Sequence, residues 1–222
     1  MQNLNGGLQT PMMLFVRSPR LTAPVVLLAG CLGGTRIVHQ TELFSRDAPR
    51  MRLRVEASFH YIGRVSYSLG DSFEGERYIF ADTMDWTRPR LLIVHFERIK
   101  ARSAEIYRYN LEAGERIGSL RFIQNEFAFA GVTTITPSPR DEADRTNNFL
   151  LLQGFRMPSV WLVTRFVTIG STDRKSELIV FYMEGHDDLS LRELYSGEEP
   201  TAAWQQLKRG VATRGRAVFS ID

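Results

Sequence analysis

From residue 51 to residue 61 apolar and polar side chains alternate without a miss. Met51, Leu53, Val55, Ala57, Phe59 and Tyr61 stand against Arg52, Arg54, Glu56, Ser58 and His60. That period of two predicts a strand with one buried and one wetted face. Gly63 breaks it, 64–69 reads as a partner strand, and 70–75 is a Gly/Asp/Ser turn. A short strand is expected over 77–81. Residues 90–99 are almost continuously apolar before His95, which predicts a central strand covered on both faces. Strands over 105–111 and 116–123 flank Ala113-Gly114 as a hairpin. Further strands are expected over 127–136 and 149–153, with a polar, proline-bearing surface loop over 137–147. Residues 160–169 and 177–182 are rich in β-branched and aromatic side chains, and the polar turn between them makes a second hairpin.

Helical signals come late. Asp187 or Asp188 is placed to cap a helix through Leu189, Leu191, Leu194 and Tyr195. Thr201 is placed to cap residues 202–209, with Gly210 as the stop. A final strand is expected over 216–221. Some ten strands in up-and-down order with one or two C-terminal helices predict a mainly antiparallel β, α+β fold, a curved sheet or incomplete barrel. Residues 51–222 read as one domain, with 31–50 as a tether.

Before this pattern begins, Arg17 and Arg20 precede a short apolar run over 21–28, which ends in Leu28-Ala29-Gly30-Cys31. Cys31 is the single cysteine of the chain. This stretch resembles the signal peptide and lipobox of bacterial lipoprotein precursors, with a basic segment, an apolar segment and small residues before a cysteine. The resemblance implies removal of residues 1–30 and lipidation of the Cys31 thiol, which would anchor the protein to a membrane of the cell envelope. Leu32 is not the aspartate that commonly retains such proteins at an inner membrane, so the outer membrane is favoured where a cell has two. The alternative is a buried strand over 25–28 with Cys31 as a small core residue. The run is too short to span a bilayer as a helix.

Charge changes the picture little. Taking the leader's two arginines from the formal +3 leaves +1 for the remainder, with no run of like charges to favour nucleic acid. With Cys31 lipidated, no thiol remains for a disulfide.

Leu69-Gly70-Asp71-Ser72 resembles the nucleophile block of the GDSL hydrolases, and that resemblance implies Ser72 attacking an ester. The Gly-x-Asn-Asp block and the terminal Asp-x-x-His are missing, and His186-Asp187-Asp188 has the wrong order and spacing. Gly, Asp and Ser are also ordinary turn formers. The second candidate is His95 with Glu97, two apart and therefore on one face of a strand. Leu91 and Ile93 precede them on that face, so it passes from oily to ionisable. Arg77 and Arg98 are candidates to hold an anionic head group, although Arg98 should point to the opposite face. The alternative is a satisfied polar pair at the end of a buried strand. Strand aromatics, among them Phe59, Tyr61, Tyr67, Tyr78, Phe80, Phe96, Tyr107, Tyr109 and Phe122, supply either a core or the wall of a ligand cavity. The histidines show neither His-x-His nor His-x-x-x-His spacing, so no metal site is supported and no cofactor is implied.

Three readings of function follow. The leading one is a lipid-anchored envelope protein that binds a small amphipathic ligand or an envelope partner without catalysis. The others are a serine esterase using Ser72 and a structural envelope scaffold without a ligand.

Overall fold

The computed structural model describes residues 35–85, 88–197 and 199–222. The leader and the Leu28–Cys31 motif lie outside the described residues. Thirteen strands are found among the described residues, in the order β1 Arg36–His39, β2 Glu42–Ser45, β3 Met51–Val55, β4 His60–Leu69, β5 Phe73–Asp82, β6 Arg90–Ile99, β7 Glu115–Ile117 and β8 Leu120–Ala130. Helix α1 Glu142–Leu152 follows, then β9 Val160–Ile169, β10 Ser176–His186, the single turn α2 Leu191–Leu194, β11 Tyr195–Ser196, β12 Glu199–Pro200, α3 Ala202–Ala217 and β13 Phe219–Ile221.

The strands form an open seven-stranded sheet, β4-β5-β6-β10-β9-β8-β7, a four-stranded sheet, β1-β2-β3-β13, and the small pair β11-β12. Every pairing is antiparallel. The fold is the mainly antiparallel β architecture expected, with a C-terminal helix and an unclosed large sheet.

The pleat sends the large sheet's side chains into two separate cores. Tyr78, Phe80, Leu92, Val94 and Phe96 pack with Leu43 and Leu53 of the small sheet and with Trp204 and Val211 of α3. Ile79, Ala81, Leu91 and Ile93 point the other way and meet Leu150 of α1, with Phe155, Met157 and Trp161. This double cover explains why 90–99 reads as apolar on both faces.

Several expected elements fall differently. The alternation over 51–61 belongs to two strands, because the chain turns between β3 and β4 while Phe59 sinks fully into the core. A period of two cannot tell one strand from two joined by a parity-preserving corner. Residues 36–45, expected within the 31–50 tether, form a hairpin that continues the small sheet through β3. Its tight turn places Gln40 at φ 54, without the glycine or asparagine that marks such turns. The segment expected as a strand over 105–111 is irregular, and the hairpin lies between β7 and β8 rather than at Ala113-Gly114. Helix α3 runs through Gly210, since Trp204, Val211 and Gly215 keep one buried stripe along it.

The largest departure is α1, which replaces a loop over 137–147 and a strand over 149–153. Asp141 caps it, its carboxylate accepting from the Asp144 N–H at 2.8 Å. The positions that border the cavity are Ala143, Thr146, Asn147 and Leu150, a helical i, i+3, i+4, i+7 stripe in which Thr146 and Leu150 are buried and Ala143 is exposed. Only Leu150 is strongly apolar, so hydrophobic periodicity does not announce this helix. The helix also rests on Gly63, which follows a register shift in β4 and has φ 146, and where an added Cβ would stand 2.5 Å from the Phe149 ring.

Candidate functional site

The site is built on three neighbouring strands, where Tyr67 of β4, Gly75 of β5 and Glu97 of β6 lie in register. The Tyr67 ring crosses over Gly75; a Cβ at residue 75 would stand 2.3 Å from its hydroxyl oxygen. The bare glycine therefore lets a side chain from β4 reach β6. There the hydroxyl sits 2.6 Å from His95 Nε2 and 2.8 Å from Glu97 Oε2. On the far side of the imidazole, Arg77 Nε donates to His95 Nδ1 at 3.0 Å.

These contacts assign the protons. A guanidinium only donates, so His95 Nδ1 must present its lone pair. The ring hydrogen is then on Nε2 and goes to the Tyr67 oxygen, leaving Tyr67 to donate to Glu97. Tyr107 donates to the second Glu97 oxygen at 2.7 Å. Burial pushes the His95 pKa down, and the Arg77 charge adds to it. Burial and the Glu97 charge push the Tyr67 hydroxyl up. Burial works to raise the Glu97 carboxyl, but the His95 ring and the hydroxyls of Tyr107 and Tyr67 hold it below its ordinary range. The chain is thus Arg77 to neutral His95 to Tyr67 to ionised Glu97, each bond with one direction. With His95 3% exposed and both its nitrogens used, this is a satisfied buried network rather than a free acid and base.

Beside it, Glu177 of β10 stands in register with Glu97. Tyr109 donates to it at 2.7 Å, and Tyr107 and Tyr109 stack with centroids 6.2 Å apart. Burial, with the Glu97 charge adding to it, pushes the Glu177 carboxyl up to about 7, against the Tyr109 hydrogen bond and the Arg165 charge.

The rest of the Arg77 guanidinium fastens α1. Nη1 donates to the Glu142 carbonyl at 3.0 Å and to Thr146 Oγ1 at 2.9 Å, while Nη2 lies 3.3 Å from Glu142 Oε1. Under that helix is a cavity of about 240 Å³. Ile93, Phe127, Phe129, Trp161, Val163, Phe181 and Met183 give it apolar walls, and Arg77, Glu142, Thr146 and Asn147 a polar end.

Of the four residues singled out in the sequence, the structure joins Arg77, His95 and Glu97. Arg98 is exposed and projects from the opposite face. His95 and Glu97 do not line the cavity, because Arg77 is interposed between the imidazole and the roof helix. Glu97 instead borders a polar crevice of about 340 Å³ with Arg36, Asp47 and Glu76. The aromatics divide as well. Phe59, Tyr78, Phe80, Phe96 and Phe122 belong to the opposite core, and the cavity takes Phe127, Phe129, Trp161 and Phe181. A readable signal existed in Phe127 and Phe129, two apart on one strand face and only half-buried.

Ser72 lies in the turn before β5, at the end of the sheet where Phe73 pairs with Ile99. His186 ends β10 beyond the pairing of Glu184 with Arg90, at the other end of the same strands. At 3.2–3.4 Å per strand residue the two are on the order of 30 Å apart. Nδ1 of His186 is engaged by Asp188 at 3.1 Å, and among the described residues no histidine hydrogen-bonds Ser72. The esterase arrangement is therefore not assembled around Ser72. Among the described residues no group of three or more His, Cys, Asp and Glu could hold a metal ion, and no helix is long and apolar enough to cross a membrane.

No protein-family model matches this chain, and neither a curated protein nor a solved structure is significantly similar to it.

Proposed function

We propose that this chain is a lipid-anchored envelope protein whose domain binds a small amphipathic molecule beneath α1 and does not transform it. The carrying observation is the mixed lining of that cavity: aromatic and aliphatic walls closing on one guanidinium, one carboxylate and one amide. Such a lining suits a ligand with an apolar body and a single polar end. The roof supports the same reading, because the Asn147 amide faces the cavity without a hydrogen bond to another described residue, whereas its neighbour Thr146 is held by Arg77. A binding role is favoured over catalysis because His95 has no open nitrogen and Ser72 no base.

The anchor rests on Leu28-Ala29-Gly30-Cys31. Arg36 opens β1 five residues after Cys31, so an extended linker would reach at most ~18 Å. The domain would then ride close to the bilayer from which an amphipathic ligand partitions.

Each half of the proposal has its own test. A brominated medium-chain alcohol should quench the emission of Trp161 saturably, and Trp161→Phe should remove the quenchable component. Ala143→Phe, which sets a ring at the exposed edge of the cavity, should weaken binding about tenfold or more, a change of about 1.4 kcal/mol. Non-saturable quenching, or equal affinity in Ala143→Phe, would sink the cavity reading. For the anchor, Cys31→Ser should abolish incorporation of an alkyne-tagged fatty acid and shift the protein to the non-membrane fraction. Unchanged membrane retention would refute it.

A further inference from the structure

Resting on that reading, we propose that the polar end of the cavity selects an uncharged head group, an alcohol, amide or ester, over a carboxylate or phosphate. The reason is that Arg77 enters the cavity already neutralised by Glu142, with three of its five donors held. A guanidinium has five N–H groups. Nε–H is held by His95 Nδ1, and both Nη1 hydrogens by the Glu142 carbonyl and Thr146 Oγ1. Nη2 pairs with Glu142 Oε1 at 3.3 Å, so Nη2 carries the only Arg77 N–H groups not hydrogen-bonded within the described residues.

Charge runs the same way. The Glu142 carboxylate balances Arg77, and His95 is neutral because its Nδ1 accepts from Arg77. Among the residues that line the cavity, an anionic head group would meet no net positive charge and would lie against Glu142. Losing water there without a counter-charge is costly. A hydroxyl or primary amide meets complementary groups instead: Arg77 Nη2 donates, Glu142 accepts, and Asn147 does either. The Asn147 side chain makes no hydrogen bond to another described residue, so its amide can serve a ligand. This reverses the anionic head group expected when Arg77 is read from sequence as an unpaired cation.

The test measures displacement of the brominated alcohol from the whole protein at about pH 7.5, where a fatty carboxylate is ionised. The competitors are decanol, decanamide, decanoate and decyl phosphate. Decanol and decanamide should bind about tenfold or more tightly than the two anions. Glu142→Gln keeps the Arg77 bonds to the residue 142 carbonyl and to Thr146 but frees the cation's charge, so decanoate should gain about tenfold relative to decanol. A chemical-denaturation curve for that variant confirms that it is folded. Equal or tighter binding of decanoate by the unaltered protein overturns the selectivity and leaves the cavity reading standing, as does an unchanged preference in folded Glu142→Gln. Failure of the brominated alcohol and all four competitors to bind removes both.

Discussion

Arg77→Met is expected to cost about 3–5 kcal/mol of stability and to release α1 from the sheet while the strands beneath it stay paired. Arg77 is 7% exposed and serves two structures at once. Toward the sheet it fixes the tautomer of His95, and through it the Tyr67 and Glu97 bonds. Toward the helix it satisfies the Glu142 carbonyl and the buried Thr146 hydroxyl, and pairs with the Glu142 carboxylate. Methionine fills much of the volume but leaves His95 Nδ1 without its donor and the Glu142 carboxylate without its cation, while the Glu142 carbonyl keeps only the Thr146 hydroxyl, at 2.6 Å. The loss should appear in denaturant unfolding, with hydrogen exchange across 142–152 quickened far more than across β9 and β10. Arg77→Lys should recover only a minor part, because one ammonium cannot reach the imidazole and the helix together. Uniform acceleration of exchange through both helix and strands would show that Arg77 supports the fold generally and does not latch α1.

How far this arrangement is legible in the sequence depends on what each element packs against. The strand over 90–99 is read to the residue because both its faces meet core, and its composition says so. The β9–β10 hairpin is read for the same reason, from β-branched and aromatic runs around a polar turn. Helix α1 is missed because its inward stripe roofs a cavity, and Thr146 and Asn147 there look like solvent-facing residues. Its local signal was the Asp141 cap, which needs no tertiary partner to be seen. The largest disagreement between local pattern and observed structure thus falls at the candidate site, as expected where a surface is shaped for something other than packing, while smaller ones at the 36–45 hairpin, the β3–β4 corner and Gly210 lie elsewhere.

The site itself is half legible. Spacing alone places His95 and Glu97 on one face and separates them from Arg98. What spacing cannot supply is the lateral reach of Tyr67 over Gly75, since that depends on strand register, or the loop that delivers Tyr107 and Tyr109. Glu177 is invisible for a related reason. In sequence it is an acidic residue after the Lys175-Ser176 turn, and it becomes a buried carboxyl beside another only when β10 pairs with β6.

That carboxyl gives a second measurable consequence: Glu177→Gln should raise stability at pH 8 by up to about 3 kcal/mol and leave it nearly unchanged at pH 4.5. In the unfolded chain the group ionises near its ordinary value of 4.5, but in the fold burial and Glu97 delay ionisation to about 7. Between those values the native state holds a proton that the unfolded state has released. Its stabilising contribution is therefore complete below about 4.5 and is lost as pH rises through 7. Above 7 the fold carries a buried carboxylate beside ionised Glu97. Glutamine keeps an acceptor for Tyr109 and carries no charge at any pH. Other groups titrate in the opposite sense. Burial and Arg77 hold the His95 pKa down, so its contribution is lost as pH falls below its ordinary 6.5. At Glu184 burial is outweighed by Arg214, His186 and Tyr182, and its carboxyl is held at about 2, so its share is lost on acidification from 4.5 toward 2. Both are common to the two proteins and cancel in the difference. The quantity to measure is thus the stability of Glu177→Gln minus that of the parent, by urea unfolding at intervals from pH 4.5 to 8. A difference that climbs through this window and levels off above 7 supports the buried acid, whereas a flat or falling one means that Arg165 and Tyr109 keep Glu177 ionised throughout.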